Sequence, residues 1–321
     1  MLEVIGLVVP FFGLILIGYV LGRRSHLTQD HMGWLNVFII YVALPALFFK
    51  LMAKTPVADL ANGRFVLGTT GITLLLFVAV MAGARILRKE SLPDSMIQGF
   101  AGAYGNIGYM APGMALMAFG PQAALPVALI FCFDNALHFT MAPLIMAFAR
   151  HETGAVPKLL LQVARSIFTH PFIMATLAGV AAAAMELQLP QPVDRMIDLL
   201  ANAAAPCALF AMGITLAQRP LQTVPVELSW IVPAKLVLHP LLVWLALGLL
   251  GPFPDVWIYA AVMICALPTA TNVFVLAQQY DSWATKASAA ILTTTFLSII
   301  TVSGLLYLIT QGYLPADIFP D

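Results

Sequence analysis

Charged side chains are scarce in this sequence: Asp, Glu, Lys and Arg make up 9% of its 321 residues, whereas 61% are hydrophobic. Soluble domains hold about 25% charged residues, so this chain has too few charges to cover a surface that faces water. The composition therefore predicts an integral membrane protein that lies in a lipid bilayer. Because 15 basic residues balance 15 acidic ones, it offers no basic surface for nucleic acid.

Cysteine and enzyme motifs are also lacking. The three cysteines lie singly in apolar segments without the spacing of a metal site or a disulfide framework. The sequence has no HExxH metal motif, no GxSxG nucleophile motif and no phosphate-binding GxxxxGK[ST] motif. These absences predict a protein that is not an enzyme and uses no cofactor or metal. If it transports a substrate, an existing gradient must supply the energy.

Apolar runs long enough to cross a bilayer, which takes about 20 residues, are abundant. We therefore predict an all-α integral membrane fold with ten transmembrane helices. The predicted spans are 3–22, 34–53, 65–86, 95–119, 122–149, 167–186, 196–217, 229–250, 256–280 and 286–311.

Basic residues predict how these spans are oriented, because Lys and Arg accumulate in cytoplasmic loops. Counted from the N-terminus, the odd-numbered loops hold ten Lys and Arg residues and the even-numbered loops hold three. The odd loops are therefore predicted to be cytoplasmic, with both termini outside, in the periplasm.

Two apolar segments are broken in corresponding places by polar, proline-containing stretches. One is GAYGNIGYMAPGMALMAFG (102–120) and the other is MICALPTATNVFVLAQQY (263–280). The asparagine and proline in each are Asn106 with Pro112, and Asn272 with Pro268. A helix break inside a bilayer is tolerated where it is buried in protein or lines a cavity. Paired breaks in two halves of a chain indicate the midplane site of a secondary transporter.

A short internal similarity favours a duplication: ALPALFFKL (43–51) is similar to APCALFAMG (205–213). With five spans in each half, the halves enter the membrane from opposite sides, which predicts an inverted repeat. We place the first five-helix repeat at 1–150 and the second at 167–321. The linker at 151–166 is predicted to be an amphipathic helix on the cytoplasmic surface.

The second part of each broken helix is predicted to begin near the midplane, where its free N–H groups favour an anion. Asn106 and Asn272 can form hydrogen bonds at this crossing, and Thr269 or Thr271 can cap the later half-helix. The alternative is that these Gly and Pro residues only fit the helices closely together.

Asp134 is a carboxylate well inside a span, and His138, four residues on, lies on the same side of the helix beside Asn135. Ionisable residues at such depth are functional candidates. Asp134 and His138 could hold a coupling proton or coordinate sodium, or His138 could contact substrate. Alternatively, they form a self-satisfied polar pair that pins the helix to its neighbours.

Other polar residues in the spans have open interpretations. Lys235 and His239 form a second i, i+4 pair, and Lys235 could neutralise an anion, pair with a carboxylate or extend to the membrane surface. Tyr41 and Asn202 occupy equivalent places in the proposed repeat, where they could line the site or join helices. Gln278 follows the second break and could face the cavity.

Several segments resemble the auxin efflux carrier family. PFFGLILIGYVLGRR and LNVFIIYVALPALFF are similar to its first two helices, and ALPTATNVFVLAQQY is similar to its ninth. The matching positions in the ninth helix are Ala266, Leu267, Pro268, Phe274, Val275, Ala277 and Tyr280. The fourth-helix motif appears here as NIGYMAP (106–112), which is one residue shorter and has Ala111 where the family usually has glycine.

The family includes plant auxin exporters and bacterial proteins named as transporters of malonate or other organic anions. The resemblance implies a ten-helix inverted repeat, also found in bile-acid sodium symporters, in which helices four and nine cross. It further implies alternating access, with a crossover domain that slides or rocks against a scaffold domain, and a homodimer. Asn106, Pro112, Pro268 and Asn272 occupy the positions that would contact substrate.

The sequence as a whole predicts a secondary carrier of a small organic anion, such as malonate or an auxin-like carboxylate, in the bacterial inner membrane. The alternatives are sodium-coupled transport like that of the bile-acid symporters, or a membrane receptor that binds a ligand without moving it. The predicted substrate contacts are Tyr41, Gly105, Asn106, Ile107, Gly108, Pro112, Asn135, Asn202, Pro268, Thr269, Thr271 and Asn272. The predicted coupling residues, for H⁺ or Na⁺, are Asp134, His138 and Gln278.

Overall fold

A computed structural model describes residues 2–25, 29–53, 62–149, 169–218 and 224–316, together with residues 161, 164 and 165. The linker predicted at 151–166 lies almost entirely outside the described residues. Apart from one isolated bridge, the described residues contain helices and connecting turns and no β-strand.

The described helices follow one another along the chain. They are α1 (Leu2–Arg24), α2 (residues 29–53), α3 (Gly63–Leu87), α4a (Leu92–Ala103), α4b (Ala111–Phe119), α5 (Pro121–Ala149), α6 (Pro171–Ala184), α7 (Gln191–Ala217), α8 (Leu228–Leu250), α9a (Asp255–Cys265), α9b (Asn272–Gln279) and α10 (Ala284–Thr310). Within the described residues, six helices are long and apolar enough to cross a membrane: those in α2, α3, α5, α7, α8 and α10. The protein is therefore a multi-pass membrane protein.

The helices pack in two groups. Helices α1, α2, α6 and α7 contact one another extensively, with α7 lying against both α1 and α2. In the second group, α4a packs on α3 and α5, and the two halves of α9 pack on α8 and α10. We call these the four-helix group and the crossing group. The two broken helices both belong to the crossing group.

Small residues allow α1 and α7 to approach closely. A Cβ atom added to Gly18 would overlap the Phe210 carbonyl oxygen, and one added to Gly213 would overlap the Ile15 carbonyl oxygen. Only glycine permits this contact between two helix backbones, as is common where helices meet in membranes. The four-helix group is therefore built around a contact that larger side chains would prevent.

Local caps place the start of the first broken helix. The Ser91 hydroxyl accepts a hydrogen bond from the Asp94 N–H at 3.1 Å, and Pro93 stands in the first turn of α4a. The Ser282 hydroxyl donates to the Asp94 carboxylate at 2.6 Å. This bond ties the start of α4a to the loop between α9b and α10. Both broken helices are thus held at the same end of the crossing group.

An ion pair joins α10 to the start of α8. Lys286 Nζ lies 2.5 Å from Glu227 Oε1, and the Glu227 side chain is almost fully buried while Lys286 is half exposed. Burial acts to raise the pKa of Glu227, but the hydrogen bond and charge of Lys286, with a contribution from Arg88, hold that pKa below its usual range. A lowered carboxyl pKa means that the ionised form stabilises the folded protein.

We expect Glu227→Gln to lower the melting temperature modestly at neutral pH, since a pair with one exposed partner contributes little. The difference from wild type should stay constant above about pH 4.5, the ordinary pKa of glutamate. It should shrink below that value and vanish once the folded-state carboxyl is protonated. Thermal unfolding across an acidic pH series checks this. A difference that grows as the pH falls would contradict it.

Candidate functional site

The two predicted helix breaks are present, and they cross. α4a ends at Ala103 and α4b begins at Ala111, while α9a ends at Cys265 and α9b begins at Asn272. Gly105 and Thr269 face each other in an antiparallel bridge between the two breaks.

Backbone hydrogen bonds hold the crossing together. The Asn106 N–H donates to the Pro268 carbonyl at 2.8 Å, and the Ala270 N–H donates to the Tyr104 carbonyl at 2.9 Å. Lipid offers no hydrogen-bond partner for such backbone groups. At the crossing, each broken helix supplies partners for some of the backbone N–H and carbonyl groups of the other.

The two threonines of the second break do not cap α9b, so that prediction was wrong. Thr271 stands at the cap position without a side-chain cap bond, because its backbone is already helical, whereas a capping residue is normally extended. The Thr269 hydroxyl donates instead to the Ala101 carbonyl at 2.7 Å, and its N–H donates to the Thr294 hydroxyl at 3.1 Å. Thr269 therefore fastens the crossing to α4a and α10.

A cavity of about 80 Å³ lies at the crossing. Its lining is Ile40, Leu44, Tyr104, Gly105, Asn106, Ile107, Gly108, Tyr109, Phe131, Asn135, Phe139, His170, Phe172, Ala270, Thr271 and Asn272. The walls come from both groups of helices, since α2 and α6 supply Ile40, Leu44 and Phe172. Asn106 reaches across the same boundary, where its Nδ2 donates to Met212 Sδ of α7 at 3.1 Å. The cavity therefore lies between the two groups.

The predicted contact residues divide into three sets. Seven line the cavity: Gly105, Asn106, Ile107, Gly108, Asn135, Thr271 and Asn272. Pro112, Pro268 and Thr269 are buried in or beside the crossing but do not line the cavity. Tyr41, Asn202 and Gln278 are exposed and lie outside the lining. Tyr41 and Ile40 are neighbours in a π-helical turn at Ile39–Ala43, where successive side chains point in different directions, so only Ile40 reaches the cavity.

Three side chains form the polar centre of the cavity wall. The Tyr104 hydroxyl donates to Asn135 Oδ1 at 2.6 Å, and the Asn272 side chain lies beside that hydroxyl. Asn135 Nδ2 in turn donates to the Phe131 carbonyl at 2.8 Å. His170 lines the same cavity, and its Nδ1 has no hydrogen-bond partner. These groups can both donate to and accept from a small polar ligand.

Asp134 and His138 lie behind this wall, but their side chains do not pair. The Asp134 carboxylate accepts from the Thr70 hydroxyl at 2.6 Å and the Thr73 hydroxyl at 3.3 Å. His138 Nδ1 lies 2.5 Å from the Asp134 backbone carbonyl, and its ring stacks on Tyr104 with centroids 3.8 Å apart. The alternative interpretation, a self-satisfied pair of side chains, is therefore wrong, because the Asp134 carboxylate accepts its hydrogen bonds from α3.

Lys235 is 0% exposed, so it does not extend to the membrane surface, and that interpretation was wrong. Its Nζ donates to the Cys265 carbonyl at 2.5 Å and lies 3.2 Å from His239 Nδ1. His239 Nε2 lies 3.1 Å from the Thr73 hydroxyl. A chain of hydrogen bonds therefore runs from the end of α9a to Asp134. Among the described residues, no group of three or more His, Cys, Asp or Glu side chains could hold a metal ion.

Widened helical turns help to bring this chain of groups together. Thr70 belongs to a π-helical turn at Leu67–Gly71 in α3, and Lys235 belongs to another at Ala234–Leu238 in α8. Such turns often occur at functional sites. Tyr104, Thr70 and Thr73 were not among the residues predicted from the sequence, and His170, which precedes Pro171, was interpreted only as a helix-start residue. Only the position of Tyr104, two residues before Asn106, could have suggested a role.

Comparisons with known proteins agree with this architecture. The profile of a family described as "Membrane transport protein" matches residues 3–118 and 150–306. A protein of Rhizobium meliloti that bears the provisional name malonate transporter is 56% identical over 320 residues, which cover all of both chains. An uncharacterized transporter of Escherichia coli K12, YfdV, is 23% identical over 89% of this chain and 91% of its own. An uncharacterized transporter of Methanothermobacter thermautotrophicus is 24% identical over 90% and 93%. The chain therefore belongs to the membrane transport protein family, the auxin efflux carrier family to which its sequence motifs pointed.

Proposed function

We propose that this chain is a secondary carrier that moves a small organic anion, such as malonate, across the bacterial inner membrane. The observation that carries the proposal is the small polar cavity where two broken helices cross, between two groups of helices. The name of the Rhizobium meliloti relative points to the same substrate.

The size of the cavity supports malonate over an auxin-like carboxylate. About 80 Å³ is far below the roughly 300–1,000 Å³ of a site for a drug-sized ligand. An aromatic carboxylate would require the walls to separate, whereas a three-carbon dicarboxylate needs little additional space.

The chemistry of the lining supports an anion. Among the described residues of the lining there is no Asp or Glu side chain, and the amides, hydroxyls and histidine of the lining can donate hydrogen bonds. Asn272 is the first residue of α9b, and the N-terminus of a helix favours negative charge. A carboxylate placed against the Asn272 amide at the start of α9b would therefore meet donors and no acidic side chain of the described lining.

We further propose that α1 to α10 are ten spans in two inverted five-helix repeats, 1–150 and 167–321, with both termini in the periplasm. The four-helix group would act as the scaffold and would form the homodimer that the family resemblance implies, and the crossing group would carry the substrate past it. Two features support this arrangement: the cavity between the groups and the excess of basic residues in the odd-numbered loops.

Coupling to a proton or sodium gradient is proposed to involve Asp134 and His138. Asp134 adjoins the cavity-lining Asn135, and His138 stacks on the cavity-lining Tyr104. Thermal stabilisation by sodium that is lost in Asp134→Asn would identify sodium as the coupling ion. Uptake driven by an imposed pH gradient without sodium would identify the proton.

Reconstitution tests the function directly. Liposomes that contain the purified protein and internal malonate should accumulate external labelled malonate by exchange, and protein-free liposomes should not. Unlabelled malonate should compete more strongly than an auxin. Malonate binding without exchange would instead support the receptor alternative. If no small carboxylate is bound or exchanged, the proposal is wrong.

A further inference from the structure

Two opposite charges lie inside the crossing group without direct contact. Lys235 is 0% exposed and Asp134 is 3% exposed. The ion pairs found within 4.0 Å among the described residues, Lys50 with Asp198 and Lys286 with Glu227, do not include them. A charge buried without compensation costs several kcal/mol. The hydrogen bonds around Lys235 and Asp134 should therefore show how each charge is compensated.

These hydrogen bonds have one consistent direction. The Lys235 ammonium can only donate, so it donates to the Cys265 carbonyl and to His239 Nδ1. His239 therefore carries its proton on Nε2, from which it donates to the Thr73 hydroxyl. The Thr73 hydroxyl has two acceptors for its hydrogen, the Thr69 carbonyl at 3.2 Å and the Asp134 carboxylate at 3.3 Å, and Asp134 accepts a second bond from Thr70. When the Thr73 hydrogen points to Asp134, the bonds from Lys235 through His239 and Thr73 all run towards that carboxylate and join a cation to an anion.

The Lys235 end of this chain adjoins the substrate cavity. A Cβ atom added to Gly105 would lie 3.3 Å from Lys235 Nζ and 3.4 Å from the Ile264 carbonyl oxygen. Gly105 lines the cavity and also forms the bridge at the crossing. The ammonium is therefore separated from the cavity by the thickness of one backbone segment, while Asp134 lies farther along the chain of bonds.

We propose that Lys235 is the fixed positive charge that attracts the substrate anion through the Gly105 backbone, and that Asp134, acting through His239 and Thr73, compensates this charge when the cavity is empty. The inference rests on the proposed function, since it assumes that an anion occupies the cavity. It makes Lys235 a positioning and specificity residue rather than a direct ligand. Because the described residues that line the cavity include no Lys or Arg, Lys235 supplies the cationic charge that this part of the lining lacks.

The first test measures malonate exchange by Lys235→Met in proteoliposomes. Removing a buried counter-charge should raise the KM for malonate about tenfold or more and change kcat much less. Lys50→Met is the matched control. Lys50 also lies within a helix, where it forms an ion pair with Asp198, but it lies outside the cavity lining. That variant should keep the wild-type KM. A wild-type KM in Lys235→Met would overturn the proposal.

The second test requires no substrate. Asp134→Asn and Lys235→Met should each lower the melting temperature, because each leaves one buried charge uncompensated. The double variant should recover much of that loss, since it contains neither charge, while its KM stays as high as that of Lys235→Met. Losses that simply add in the double variant would show that the two residues are not coupled.

The Thr73 hydroxyl, which links His239 to Asp134, can be tested with its own matched variants. Thr73→Val removes the hydroxyl between His239 and Asp134 and should raise the KM, and Thr73→Ser should restore it. Thr69→Val is the control, because the Thr69 hydroxyl bonds only to carbonyls of its own helix one turn earlier. Equal effects of Thr73→Val and Thr69→Val would exclude the link. If wild-type protein moves no carboxylate, the proposed function fails, whereas the melting-temperature experiment still decides whether Lys235 and Asp134 are coupled.

Discussion

Replacing Asn272 by alanine is expected to abolish malonate exchange while the protein still folds and inserts. Asn272 is the first residue of α9b, lines the cavity and lies beside the Tyr104 hydroxyl. The residue is exposed, so the loss of its side chain should leave no buried group without a partner. The substitution removes a hydrogen-bond donor at a site where the bound anion has left water. An anion without that hydrogen bond loses about 1–3 kcal/mol or more of binding free energy.

The corresponding change Asn202→Ala provides the comparison. Asn202 was the sequence-based candidate in α7, but it is exposed outside the cavity lining. Exchange by Asn202→Ala should therefore match wild type, with protein yield and melting temperature recorded for both variants. Exchange that survives in Asn272→Ala, or is lost only in Asn202→Ala, would move the substrate site away from this cavity.

Replacing Gly18 by leucine is expected to remove most of the folded protein. The added side chain would overlap the backbone of α7 at Phe210, where neither helix can yield without separating from the other. Overpacking a core typically costs about 1–3 kcal/mol, and a clash between two helix backbones should cost more. Because leucine is more apolar than glycine, insertion into the membrane should be unaffected, and the defect should appear in helix packing.

Gly13→Leu is the matched control for this prediction. Gly13 lies on the same helix, but nothing lies within 4 Å of a Cβ atom built on it. Size-exclusion profiles and melting temperatures in detergent should show a folded protein for Gly13→Leu and aggregated or poorly recovered protein for Gly18→Leu. Similar profiles for the two variants would contradict the close contact between α1 and α7.

The paired breaks illustrate what a local sequence pattern can predict. A proline and an asparagine within an apolar run are visible without any partner helix, because each break is caused by residues inside its own segment. The observed ends of α4a and α9a fall within the segments 102–120 and 263–280. Residues immediately next to the breaks, such as Asn106 and Asn272, could likewise be assigned to the cavity.

Whether a polar residue elsewhere in the spans is buried or lies at the surface depends on the helices that pack against it. Lys235 and Lys50 are both lysines inside apolar helices, yet one is fully buried and the other pairs with Asp198 at the edge of its helix. Neither composition nor spacing distinguishes them. The partners of Lys235 are His239, four residues on, and the carbonyl of Cys265, 30 residues away. That carbonyl has no partner within its own helix because α9a ends at Cys265.

The sequence by itself determined that this chain lies in a membrane, belongs to a transporter family and breaks two of its helices, because scarcity of charge, family motifs and prolines act locally. Only the tertiary structure decided that the breaks cross at Gly105 and Thr269, that Tyr41 and Asn202 face away, and that Lys235 is joined to Asp134. These outcomes depend on which helix faces lie against each other. Contacts between residues far apart in the chain set those faces, and no local pattern contains that information.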